Sequence, residues 1–254
     1  MEIKIGLQLY SIRSAMADDF LGSLEKVKAA GYDCVEFAGY GGYSAAELKK
    51  ELTRIGLEPY ASHVKYEQLD KHLEEVAAFS AELGLSWVIC PSYPIESAED
   101  CRAISAILVR AAKVLEPLGI RVGYHNHHRE LVRFGDSYAF DLILENDAGI
   151  EISAEVDACW VQYADVDPVA YIDSLGGKAG PLHFKDINAN YKEMDRHAID
   201  AEVGNGIVDF PGIIAVARKN GILGKGLIVE QEAFNRDMFE SIKISCDNIR
   251  RMLA

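Results

Sequence analysis

The chain has 254 residues, 49% of them apolar and 26% charged, an ordinary globular make-up that excludes global disorder. Its formal charge of −14 repels phosphate backbones, and no run of four basic residues offsets it, so nucleic acid is not expected as a partner. No segment approaches the roughly 18 apolar residues that a membrane span needs, so no membrane partner is expected either.

The opening Met-Glu-Ile-Lys-Ile-Gly-Leu lacks a basic region followed by an apolar stretch, and no secretory signal is read there. Cys34, Cys90, Cys101, Cys159 and Cys246 are scattered, odd in number and without metal-type spacing. They read as free thiols in a reducing compartment, with the cytoplasm as the expected location.

The first expected strand runs from Ile3 to Tyr10. Helical spacing follows in Phe20-x-x-Ser-Leu-x-x-Val-x-x-Ala, then Gly31 and a short run ending near Glu36. The same phrase of amphipathic helix, glycine and apolar run recurs. Gly56 leads to His63, Gly84 to Trp-Val-Ile-Cys-Pro, and Gly119 to Val-Gly-Tyr-His-Asn-His. Gly149 leads to Ser-Ala-Glu-Val-Asp, Gly180 to Pro-Leu-His-Phe-Lys-Asp, and Gly226 to Leu-Ile-Val-Glu-Gln-Glu. Glycine accepts the left-handed conformation that ends a helix, and short runs rich in Val and Ile are buried strands. Strict alternation makes the strands parallel with crossover helices. Eight units in a chain of this length predict an α/β fold, a single (β/α)8 TIM barrel of one domain over residues 1–254. The rival, an open doubly wound sheet, lacks its Gly-x-Gly-x-x-Gly after the first strand. Between the seventh and eighth strands the spacing stretches from Ile187 to Gly226, which predicts a lid or substrate-binding segment, a plain surface insertion being the alternative. Gly204-Asn-Gly206 within it reads as a turn.

In such barrels the site is built at the C-terminal strand ends. Those ends carry Gln8 and Tyr10, Glu36, His63, Tyr93, the His125-Asn126-His127 run, Glu155 and Asp157, then His183, Lys185 and Asp186, and finally Glu230 and Glu232. Buried carboxylates and imidazoles are costly unless paired or metal-bound, so this concentration points to a site. Asp157, His183 and Glu230 each follow an apolar run and should point inward. Two carboxylates and an imidazole suit one divalent ion, Mn²⁺, Co²⁺, Mg²⁺ or Zn²⁺. His125, His127 or Glu130 is left to complete the shell. If the strand extends that far, alternation puts His125 and His127 on one face and Asn126 on the other, while His128 and Arg129 are expected in solvent. Glu36, His63, Asn126, Glu130 and Lys185 are the candidate substrate contacts. Lys185 would otherwise pair with Asp186 or Glu155, and Lys185 and Arg196 are the only plausible site cations for a phosphorylated substrate; Trp160 and Tyr163 would either wall a sugar ring or pack under a helix.

Taken in order, Gly-Leu-Gln-Leu-Tyr-Ser, Gly-Tyr-Asp-Cys-Val-Glu-Phe, Tyr-His-Asn-His-His-Arg-Glu, Glu-Val-Asp-Ala, Leu-His-Phe-Lys-Asp, Val-Gly-Asn-Gly-Ile-Val-Asp-Phe-Pro and Val-Glu-Gln-Glu resemble the xylose-isomerase-like barrel superfamily over essentially the whole chain. The likeness is strongest to its sugar (phosphate) isomerase/epimerase branch. The resemblance implies that Asp157, His183 and Glu230 are metal ligands and that Glu230 doubles as an acid/base. Two departures stand out. A histidine replaces the glutamate that many members carry in a Glu-Asn-His phrase, and Trp160 stands where sugar epimerases often have a histidine. The His-Asn-His form looks more like relatives of inosose dehydratase and of enzymes acting on keto-sugars.

The expected chemistry is proton abstraction beside a carbonyl by Glu230 or a histidine of the cluster such as His127, with a metal-stabilised enediolate. Reprotonation would make an isomerase or epimerase acting on a small sugar. Loss of a β-substituent would make a lyase or dehydratase on an inosose or keto-glycoside. A non-catalytic sugar-binding barrel is the alternative of another class. An abasic-site endonuclease shares the barrel but needs a DNA-friendly surface that −14 does not offer.

Overall fold

Residues 3–254 are described by the computed structural model, in which eight parallel strands close on themselves. They are β1 (Ile5–Gln8), β2 (Cys34–Phe37), β3 (Glu58–His63), β4 (Trp87–Cys90), β5 (Arg121–His125), β6 (Ser153–Asp157), β7 (Ala179–Phe184) and β8 (Leu227–Val229). Each pairs with its neighbours in sequence, and β8 returns to β1 through Ile5–Leu227, Gly6–Ile228 and Leu7–Val229. The principal crossover helices are α1 (Phe20–Ala29), α2 (Ala45–Ile55), α3 (Leu73–Leu83), α4 (Ala98–Leu115), α5 (Ala139–Leu144), α6 (Pro168–Leu175) and α7 (Phe210–Lys219), with α8 (Met238–Leu253) following β8. The eight expected runs are the eight strands of a (β/α)8 barrel. Among the described residues no helix is long and apolar enough to cross a membrane. All five cysteines are buried and free.

Local chemistry sets the helix ends. At the start of α2 the Ser44 hydroxyl accepts from the Glu47 N–H while the Glu47 carboxylate accepts from the Ser44 N–H, satisfying two donors at once. α2 ends on Gly56 at φ +80°, a conformation that a Cβ would strain. Gly180 departs from the expected pattern. It lies inside β7, where a Cβ would stand 3.1 Å from Ser153 Cβ, and α6 instead ends on Gly176.

Strand periodicity explains why the site lies where it does. Inside the barrel, Cys34, Tyr60, Ala61, Trp87, Ile89 and Ile228 form an apolar cluster separate from the larger core between strands and helices. The barrel narrows tightly there, since a Cβ on Gly6 would come within 2.6 Å of Ile228 Cδ1 and one on Gly123 within 2.7 Å of Ile89 Cδ1. Side chains two residues apart on a strand share a face. Moving up by two therefore takes Cys34 to Glu36, Ala61 to His63, Gly123 to His125 and Ile228 to Glu230. The apolar layer is the floor of a polar one.

The long connection after β7 is a fastened wall and not a free lid. Asp186–Ile187 pairs antiparallel with Asp200–Ala201. The buried Asp186 carboxylate accepts from the N–H groups of Gly204 (2.9 Å), Gly206 (2.8 Å) and Val208 (3.1 Å), closing the expected turn. Asp200 in turn accepts from the N–H groups of Glu232 and Ala233, tying the wall to the segment after β8.

Candidate metal centre

Strand register brings the polar layer together: His125 lies beside Glu155, Asp157 beside His183, and Gln8 beside Glu36. One donor atom from each of His125, Asp157, His183 and Glu230 lies within 4.8 Å of the others. An overlapping group, His63, His125, Glu155 and His183, meets the same limit. Charge and hydrogen bonding favour the first group as the holder of a cation. It contributes two carboxylates against a dication, and Asp157 Oδ2 is buried with no partner while Oδ1 accepts from the Trp160 N–H at 3.1 Å. A buried carboxylate oxygen left without a donor is costly unless a cation meets it. The donor set therefore fits a divalent ion, and oxygen–nitrogen sets of this kind take Mn²⁺, Co²⁺ or Zn²⁺.

The second group does different work. Glu155 Oε2 gathers three imidazoles, lying 2.7 Å from His63 Nε2, 3.2 Å from His125 Nδ1 and 3.1 Å from His183 Nε2. Glu36 Oε2 reaches His183 Nε2 at 2.6 Å and accepts from Gln8 Nε2 at 3.0 Å. These carboxylates hold the outer nitrogen of His183, which leaves Nδ1, 2.9 Å from Glu230, on the ligating side.

Burial and neighbouring charge set the protonation states. Burial, reinforced by Glu155, lifts the Glu36 carboxyl to about 7. Burial also lifts Asp157 to about 7, against the pull of Lys185. Burial opposes ionisation of Glu230 too, but Lys185 and His183 outweigh it and hold this carboxyl well below its ordinary value. Burial lowers His125 to about 4 and His127 to about 2, so both rings are neutral at physiological pH.

The sequence-predicted residues fall into three places. His125, Asp157, His183 and Glu230 converge, and His127 stands beside them with its ring 5.0 Å from that of His125. Of the candidate substrate contacts, His63 lines a mouth cavity of about 400 Å³ that also meets His125, His127, Glu230 and Gln8. The others lie behind the surface. Glu36 is fully buried under the imidazoles. Lys185 is buried between Glu230 (3.4 Å) and Glu232, with its ammonium 5.0 Å from the Trp160 ring centre, and neither Asp186 nor Glu155 is its partner. Asn126 and Glu130 are engaged with protein donors. Asn126 accepts from the Asp157 N–H at 2.9 Å, and Glu130 accepts from the His127 N–H at 2.8 Å and the Tyr124 hydroxyl at 3.1 Å. Both side chains are fully buried, and neither lines the mouth.

Some residues of the site were given no specific role from sequence, Arg196 excepted. Glu155 sits two places before Asp157 on one inward face, a spacing that could have flagged it. His128, expected in solvent, packs its ring 5.4 Å from Trp160 and 5.2 Å from Tyr163. Arg13, Arg129, Arg196 and His197 converge with it on a second mouth cavity of about 240 Å³, against which Trp160 forms a wall. Nothing local in the sequence marks that convergence, because the residues come from three separate loops.

A carboxylate–imidazole donor set at the C-terminal mouth of a closed eight-stranded barrel defines a metal-capable barrel of the enzyme-bearing kind. The family model described as xylose isomerase-like TIM barrel matches residues 24–252, and the chain belongs to that family. Among solved structures it is similar to a sugar phosphate isomerase/epimerase from Parabacteroides distasonis, with 26% identity and a TM-score of 0.81 over 98% of this chain and 94% of that one. Two more distant structures share the fold. An L-ribulose 3-epimerase is 15% identical, with a TM-score of 0.77 over 99% of this chain and 95% of that one. The IOLI protein with a binding zinc atom is 12% identical, with a TM-score of 0.75 over 99% and 98%. No curated protein matches the sequence.

Proposed function

We propose that this chain is a divalent-metal-dependent sugar isomerase or epimerase that moves a proton on a carbon next to a carbonyl. One observation carries the proposal: four donors converge at the mouth around an unpartnered Asp157 oxygen, directly beside a cavity that Glu230 and His127 both line. The isomerases and epimerases among its structural neighbours support it.

His125, Asp157, His183 and Glu230 would hold the cation. When bound, it supplies a Lewis acid that polarises a substrate carbonyl. The residues themselves provide the rest. Glu230, kept ionised by Lys185 and His183, is an unprotonated carboxylate at neutral pH and so the form that accepts a proton. Lys185 makes an ion pair with Glu230, and its charge favours the anion that proton removal leaves in the substrate. His127 is a neutral imidazole on the same wall, suited to exchange a proton with a substrate hydroxyl.

A second reading, β-elimination by a lyase, is favoured by that same His127, because the second protic group at the mouth is an imidazole and not a second carboxylate. Loading the purified protein with Mn²⁺ and incubating it with ketoses, inososes and keto-glycosides in D₂O tests both. Deuterium at the carbon beside the carbonyl, abolished by chelation and by Glu230→Gln, supports proton transfer, and product structure separates isomerisation from elimination. Failure to bind any divalent metal would overturn the proposal and leave a sugar-binding barrel.

A further inference from the structure

The cavity of about 240 Å³ beside the candidate metal centre is lined by basic groups that have no counter-ion. Arg13 follows β1, Arg129 follows β5 and Arg196 lies in the wall after β7, so three separate loops send guanidiniums to one place. Among the described residues none of the three meets a carboxylate within ion-pair distance. Elsewhere on this acidic chain Arg54 pairs with Glu25 and Arg250 with Asp33. Arg13 is propped in place, donating to the Tyr10 carbonyl at 3.0 Å and stacking 4.3 Å above the Tyr10 ring. His128 lies between burial and charge: desolvation, then Arg196 and Arg129, hold its imidazole below its ordinary value. The two acids on the cavity wall do not neutralise this cluster. Asp200 is turned to the Glu232 and Ala233 N–H groups, and Glu232 accepts from Lys185.

Like charges gathered without partners repel, and guanidiniums are the groups whose fork-shaped donors match phosphate and carboxylate oxygens. In a chain of net charge −14, such a local cluster focuses anions onto one spot. His127 and Glu232 form part of the wall of this cavity and of the one that holds Glu230 and His125, so the two open onto each other. We propose that Arg13, Arg129 and Arg196 form an oxyanion subsite for the substrate, which is a sugar bearing a phosphate ester or a carboxylate whose carbon chain runs past His127 toward Glu230. This rests on the sugar-enzyme reading for what the anion is attached to; the subsite itself does not depend on metal.

The test uses the whole chain stripped of metal by chelation, titrated calorimetrically with inorganic phosphate and, separately, with D-glucuronate. Saturable binding of at least one probe, weakened tenfold or more in Arg129→Gln/Arg196→Gln and unaffected in Arg218→Gln, is the expected result. Tighter phosphate identifies a phosphorylated substrate, and tighter glucuronate a sugar acid. The substituted side chains are exposed, so an unchanged melting temperature verifies the fold. Absence of saturable binding by both probes, or equal binding in the double variant, would overturn the subsite. Anion binding by a protein that takes up no Mn²⁺ would keep the subsite and sink the proposed function.

Discussion

Asn126 and Asp157 are tied through the backbone: the Asn126 side-chain oxygen accepts from the Asp157 N–H at 2.9 Å, between the ends of two neighbouring strands. That bond fixes where Asp157 turns out of β6 into the short helix it caps, and so fixes the direction of its unpartnered oxygen. Asn126→Ala leaves a buried N–H without an acceptor, a loss of about 1–3 kcal/mol. The melting temperature should fall by a few degrees, and Mn²⁺ affinity should fall with it. A variant that melts as the wild type does would show that the bond is dispensable.

Glu155 holds three imidazoles in place through one oxygen, and its substitution separates orientation from ligation. Glu155→Gln keeps the volume but replaces an acceptor with a donor on one side. Metal affinity should drop by roughly 10- to 100-fold, the usual cost of losing a carboxylate behind histidine ligands. Titration of Mn²⁺ followed by its electron paramagnetic resonance signal measures this, and circular dichroism confirms the fold. Undiminished affinity would leave Glu155 a packing residue only.

The barrel and the convergence of Asp157, His183 and Glu230 were legible because both follow from short-range periodicity. An apolar run of period two that ends in a charged residue announces a strand and its inward end. What lay beyond the sequence is pairing across strands and loops. Nothing in the His125-Asn126-His127 run shows that Asn126 turns to a backbone N–H while its neighbours face the mouth; β5 ends at His125, and alternation gives no guidance after it. Lys185 was placed on the right face, yet its partners Glu230 and Glu232 lie in the segment that follows the neighbouring strand β8 and not among its own sequence neighbours. Arg196 reads from the sequence as a plausible site cation, but its meeting with Arg13 and Arg129 does not, for the same reason.

Alkaline pH should weaken the barrel floor and its surroundings. Burial pushes Cys90 from 9.0 up to about 12 and Tyr60 from 10.0 up to about 12, and Tyr60 donates its hydroxyl to the Lys225 carbonyl at 2.7 Å. In the unfolded chain both groups lose their protons earlier. The stability they lend is therefore complete below about pH 9 and declines as pH rises toward 12, by about 1.4 kcal/mol per group for each pH unit between the two values. Urea midpoints should fall from pH 9 to 11, and Tyr60→Phe should flatten the slope. A midpoint constant over that range would contradict the assignment.

Gly206 shows how a residue far from the chemistry shapes the mouth. A Cβ there would stand 2.3 Å from Asp186 Oδ1 and 2.4 Å from the Ile187 carbonyl, inside the turn that Asp186 closes. Gly206→Ala must therefore displace the carboxylate that holds the N–H groups of Gly204 and Val208, at a cost of about 1–3 kcal/mol from overpacking. Because this turn anchors the wall carrying Arg196 and His197, the loss should be local. Limited proteolysis should cut faster between 188 and 205, and phosphate binding should weaken. Mn²⁺ affinity should stay within a few-fold, since the four converging donors come from other segments. Equal loss of metal and phosphate binding would mean that the wall and the metal centre fold as one unit.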